Sequence, residues 1–126
     1  MVKTVVNSQN APEAIGPYSH AVSSDGLVFC SGMVGLDPSS GALVEESIQA
    51  QTRRALQNLG AVLESAGAGF GNVVKVTAYL TDMGQFAGFN EAYGEFFRDD
   101  PPARATVGVA ALPLGAMVEV ECVARL

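Results

Sequence analysis

The chain has 126 residues, 48% of them hydrophobic and 16% charged, with 13 acidic against 7 basic side chains for a net charge of −6. That balance argues against nucleic acid as a main partner, because phosphate binding needs clustered Lys and Arg and only Arg53 and Arg54 are adjacent. No apolar run approaches the roughly 20 residues of a membrane span, and residues 1–7 lack the apolar core of a signal peptide.

The length predicts a single domain over 1–126 with one core. So few charges on a small chain predict that part of the surface is covered by another subunit. A cytoplasmic location with reduced thiols is expected. Cys30 and Cys122 both fall in strand-like apolar runs, and they read as buried small hydrophobes rather than a disulfide or redox pair. One histidine and no CxxC or HExxH pattern leave little from which to build a metal site.

Residues 3–6 form a short β-prone run. A polar loop follows, kept irregular by Pro12 and Gly16-Pro17. Residues 18–24 and 27–33 are two strand-like runs joined by Asp25-Gly26, a two-residue hairpin signal. Residues 35–41 read as a turn-rich loop. A long helix is predicted over 46–66, because Ile48, Thr52, Ala55, Leu56, Leu59, Val62, Leu63 and Ala66 recur at three- and four-residue steps. Glu45 and Glu46 suit its N-terminal end, Gly67 a left-handed stop, and Gly60 a place of close packing.

Residues 73–80 form the next strand, with Val74, Val76, Ala78 and Leu80 expected on one face and Val73, Lys75, Thr77 and Tyr79 on the other. Asp82, with Gln85 three residues on, predicts a capped second helix over 83–97. Its buried side would carry Phe86, Phe89, Tyr93 and Phe96/Phe97, and Pro101-Pro102 would close it. Strands over 105–109 and 118–125 complete the order β-β-β-α-β-α-β-β. The two helices are expected to cover one face of a mixed six-stranded α+β sheet. The other face is half-polar and is expected to meet sister subunits.

The chemistry-bearing residues gather in the last quarter. Arg104 opens a strand directly after two prolines, and Glu119 and Glu121 share one face of another. A guanidinium is a planar fork that fits a carboxylate with two parallel hydrogen bonds, and a carboxylate nearby can hold and activate water. These groups are expected to converge around a small organic acid. Spacing alone equally allows a structural salt bridge between Arg104 and Glu119 or Glu121. Glu121 reads as structural, Ser31 has no adjacent base and is no nucleophile, and His20 has no evident partner.

Gly16-Pro17-Tyr18-Ser19, Cys30-Ser31-Gly32, the Phe89–Tyr93 run, Pro102-Ala103-Arg104-Ala105 and Val118-Glu119-Val120-Glu121 occur in an order and at spacings that resemble the reactive-intermediate deaminase (Rid, or YjgF) family. The resemblance spans essentially the whole chain. It implies a chorismate-mutase-like fold and a homotrimer whose sheets form a central barrel, with clefts between subunits. It also implies hydrolysis of 2-imino acids such as 2-iminopropanoate and 2-iminobutanoate to 2-keto acids and ammonia, without metal or organic cofactor. On that pattern Arg104 would bind the substrate carboxylate and Glu119 would position the attacking water. Tyr18, Ser31, Gly32, Asn90 and Thr106 would complete the cleft. Thr106 stands where many relatives carry cysteine, and Met33 where glutamine is frequent. The alternatives are a module that binds a 2-keto acid without turnover, a relative acting on a larger enamine, and a ribonuclease or translation inhibitor, which the acidic charge disfavours.

Overall fold

The Asp25-Gly26 turn sets the frame. Asp25 and Gly26 both take positive φ, 51° and 77°, the geometry of a tight hairpin turn between right-twisted strands. The computed structural model describes residues 2–126. Among them the strands are β1 (Thr4–Val6), β2 (Ala21–Ser24), β3 (Leu27–Val34), β4 (Val73–Leu80), β5 (Ala103–Gly108) and β6 (Val118–Arg125), and the α-helices are α1 (Ile48–Ser65) and α2 (Phe86–Tyr93). They form one six-stranded sheet in the order β1-β2-β3-β6-β4-β5. Only the β4–β5 pair is parallel, and α2 lies in the crossover that a parallel pair requires.

Helix α1 begins where Ser47 accepts the Ala50 N–H on its hydroxyl, so Ser47 caps it. It ends in a Schellman turn: Ala68 N–H reaches the Leu63 carbonyl, Gly67 N–H reaches the Glu64 carbonyl, and Gly67 has φ 82°. Leu56, Leu59, Val62 and Leu63 are fully buried against Val28, Val76, Val118 and Val120 of the sheet. Each such side chain contributes about 1.5–3 kcal/mol of apolar burial. Gly60 does allow a close approach, because a Cβ there would stand 2.8 Å from the Phe70 ring. Cys30 and Cys122 are buried free thiols opposite one another on β3 and β6.

Several details differ from the sequence reading. Strand β2 starts at Ala21, because residues 8–20 are tied down by a buried histidine instead of by sheet pairing. Helix α2 is preceded by a 3₁₀ turn at Met83–Gln85, which Asp82 caps through the Gly84 N–H, and it stops at Tyr93. Phe96 and Phe97 lie beyond it and pack on Phe70 edge-to-face. Strand β5 starts at Ala103, so Arg104 is inside the ladder. A β-bulge between Val73 and Lys75 turns Val73 inward and leaves Val74 exposed, the reverse of simple alternation.

The face away from the helices carries Phe29, Lys75, Thr77, Tyr79, Val107, Glu119, Glu121 and Val123. No helix among the described residues is long and apolar enough to cross a membrane.

Candidate active site

The parallel register sets Arg104 beside Val76 and Thr106 beside Ala78. Val76 and Ala78 are core residues under the helices. Paired residues project to the same face, so Arg104 and Thr106 point towards α2. There the Arg104 guanidinium carbon lies 4.7 Å from the Tyr93 ring centroid, 5.3 Å from Phe89 and 5.6 Å from Phe86. Stacking on aromatic faces holds the fork in place without consuming its N–H donors. Among the described residues Arg104 forms no ion pair; the recorded pair is Arg53–Glu95.

Three polar atoms in this region are buried with no hydrogen-bond partner among the described residues: Asn90 Oδ1, the Tyr93 hydroxyl and Thr106 Oγ1. Leaving such an atom unpaired costs about 1–3 kcal/mol. Three of them on the two elements that flank a free guanidinium mark a place prepared for a polar ligand. Burial pushes the Tyr93 hydroxyl pKa up, against a smaller opposing pull from Arg104, so Tyr93 stays a neutral donor there.

Glu119 lies on the other face. Its register partners are Tyr79 on β4 and Val34 on β3. The ladder between β3 and β6 slips by one residue between Cys30 and Met33, so Ser31 and Gly32 form a bulge beside the Glu119 carboxylate. A Cβ on Gly32 would stand 2.7 Å from Glu119 Oε2. The carboxylate therefore fills space that only glycine leaves. Tyr18, Ser31, Gly32, Pro113, Glu119 and Glu121 line one recess, which continues past His20 and Met33. Burial, and then the neighbouring Glu121 charge, hold the Glu119 pKa above the ordinary carboxylate value. The Tyr79 hydroxyl donates to Glu121 Oε1 at 2.5 Å.

Ser31 donates its hydroxyl to the Ser19 carbonyl at 2.6 Å, which fixes the loop next to Tyr18. His20 does have partners: Nδ1 accepts the Ser8 N–H at 3.0 Å and Nε2–H donates to the Pro12 carbonyl at 2.8 Å. It is a buried clamp on the N-terminal loop.

The predicted residues thus form two groups. Tyr18, Ser31, Gly32 and Glu119 share a recess on the open face, while Asn90, Arg104 and Thr106 gather on the helix-covered face. Within one chain Arg104 and Glu119 do not converge, because β4 separates their strands and they project to opposite sides of the sheet. Sequence reasoning missed the part played by Phe86, Phe89 and Tyr93, which it placed only in the core. A tyrosine in an otherwise apolar stripe was the available signal, since its hydroxyl needs a partner.

The sheet thus carries a stacked guanidinium with no ion pair among the described residues on one face and a recessed carboxylate on the other. The family model described as Endoribonuclease L-PSP matches residues 8–126, and the chain belongs to that family, the Rid (YjgF) proteins. It is 48% identical over 124 residues to a mouse protein named 2-iminobutanoate/2-iminopropanoate deaminase, covering 98% of this chain and 92% of the other. Reactive Intermediate Deaminase A, chloroplastic, of Arabidopsis thaliana is 47% identical over 98% of this chain, which spans 66% of that longer protein. Among solved structures, the Rid family protein YyfA of Yersinia pestis superposes with a TM-score of 0.96 at 42% identity, covering 99% of this chain and 100% of the other.

Proposed function

We infer that this chain is a cytoplasmic imine hydrolase that converts small 2-imino acids, 2-iminopropanoate and 2-iminobutanoate, to 2-keto acids and ammonia. Full-length relatives carrying that name support the reaction. The observation that carries the reading is the Arg104 guanidinium, stacked on three rings and without a counter-ion among the described residues. Such a fork is matched to one carboxylate in a fixed plane. The working unit is a homotrimer, with Arg104, Asn90 and Thr106 of one copy facing Tyr18, Ser31, Gly32 and Glu119 of the next across a cleft. This arrangement also covers the apolar residues Phe29 and Val107 of the open face.

In that cleft Arg104 takes the substrate carboxylate and presents the protonated imine carbon to water. Glu119 orients the water and accepts its proton as the C–O bond forms and the C=N π electrons move to nitrogen. Glu119 then gives that proton to the amine and takes the proton of the new hydroxyl as the C=O bond forms, the C–N bond breaks and ammonia leaves. A carboxyl whose pKa is raised above the ordinary carboxylate value is a stronger base, which suits the step that takes the proton from water. The ribonuclease reading in the family's description has little support here. The one adjacent basic pair is engaged, Arg53 with Glu95 and Arg54 with Asn58, and the net charge is −6.

The test generates the imine with a threonine dehydratase and follows its decay to keto acid. The protein should accelerate the decay, and Arg104→Ala should remove most of the acceleration. Equal rates for the two proteins overturn the role of Arg104. Saturable binding of 2-ketobutyrate with no acceleration by either protein overturns the hydrolase reading.

A further inference from the structure

Glu121 follows Glu119 by two residues, so the two carboxylates share one face of β6, separated by about 7 Å of strand. Both line the recess that holds Tyr18, Ser31 and Gly32. Tyr79 stands directly across from Glu119 in the ladder, yet its hydroxyl leans diagonally to donate to Glu121. That hydrogen bond fixes the Glu121 carboxylate on the same face as Glu119.

We propose that Glu121, clamped by Tyr79, is a positioning residue whose fixed negative charge makes Glu119 a stronger base. The proposal rests on the reading of Glu119 as the group that takes the proton from water.

The surroundings leave that charge to act on Glu119. Strand β3 contributes Phe29, Ser31 and Gly32 to this face, none of them ionisable. Strand β4 contributes Lys75, Thr77 and Tyr79, and β5 contributes Ala103, Ala105 and Val107. Lys75 borders a recess with Glu121 but forms no ion pair with it among the described residues. Arg125 lies at the far end of β6. Glu13, Tyr18 and His20 border the Glu119 side, and both ring nitrogens of His20 are already engaged. Within its own chain Glu119 has a like charge beside it on the same face and no cationic partner among the described residues, and the Arg104 that faces it from the next copy in the proposed cleft is the same in parent and variant.

Glu121→Gln removes the charge and retains an oxygen that can accept from Tyr79, so the fold is kept. The trimer bearing this change is compared with the parent in two measurements. The first is the carboxyl NMR titration of Glu119 without ligand, assigned by its loss in Glu119→Gln. The second is the pH profile of kcat/KM for imine hydrolysis. The Glu119 midpoint and the acidic limb of the profile should both move down by roughly half to one pH unit, and Glu121→Asp should restore most of each. A midpoint unmoved in Glu121→Gln overturns the proposal, whatever the rates. If the parent shows no hydrolysis, the activity assignment fails instead, and the midpoint still decides whether Glu121 acts on Glu119.

Discussion

The Glu119 carboxylate occupies the place that a Gly32 side chain would take. A Cβ at position 32 would stand 2.7 Å from Oε2 and 2.8 Å from the carboxyl carbon. Gly32→Ala therefore pushes the carboxylate out of its recess while leaving the core on the opposite face untouched. Misplacement by about 1 Å costs about 100-fold in rate, so kcat/KM should fall by about that factor. A melting temperature close to the parent's, measured beside the imine assay, would place the loss in the site rather than in the fold.

Arg104 and Glu119 project to opposite faces of one sheet, so each working cleft should draw them from different copies. Arg104→Ala and Glu119→Gln should each be nearly inactive alone. When the two are unfolded together and reassembled at equal ratio, roughly one cleft in four should receive an intact Arg104 and an intact Glu119, if subunits mix at random. Activity should return to about that fraction of the parent's. Failure to recover, in a mixture shown by mass spectrometry to have exchanged subunits, would rule out a shared cleft.

Glu119 also makes stability depend on pH. Its folded pKa is raised, chiefly by burial, so the native state holds more protons than the unfolded chain between the ordinary carboxylate value and the raised one. Stability attributable to this group therefore falls as pH rises through that window. Glu119→Gln should melt a few degrees above the parent at pH 7.5, and the gap should close as pH falls well below the ordinary carboxylate value, where both states of the parent are protonated. Scanning fluorimetry across that range reads the crossover.

Asn58 is fully buried on α1 and ties down the end of β3. Its amide donates to the Val34 and Leu36 carbonyls, and its oxygen accepts from Arg54 Nε and NH2. Asn58→Ala strands the Leu36 carbonyl, removes one of two donors from the Val34 carbonyl, which keeps the Leu36 N–H, and leaves a void, at about 2–4 kcal/mol. Val34 and Leu36 border the Glu119 recess. Denaturant unfolding should show the lost stability, and KM should rise as the recess loosens.

The features legible in the chain were those with local causes. The hairpin turn follows from Asp25-Gly26, the end of α1 from Gly67, and the helical stripe from residues three and four apart, because each is settled by the backbone within a few residues. The element order and the pairing of two helices with a mixed sheet also followed from period and spacing. Arg104, a lone cation opening an apolar run, and Glu119, one of two alternating acids on β6, could be singled out from spacing, whereas Tyr18, Ser31, Gly32, Asn90 and Thr106 came only with the family resemblance.

Other features depended on contacts between distant segments. Strand register places Arg104 beside Val76 and so aims it at α2, and no local rule fixes a parallel register across a helical crossover. The bulges at Ser31–Gly32 and at Val74 reverse the alternation that a strand pattern assumes, because the partner strand and not the bulged one sets where the extra residue goes. Tyr93 reads as core until the guanidinium stacked on it comes into view, and His20 acquires its role only through Ser8 and Pro12. Side-chain chemistry could be listed from the residues, but which groups face each other follows from sheet geometry, and that geometry sets Arg104 and Glu119 on opposite faces of one sheet.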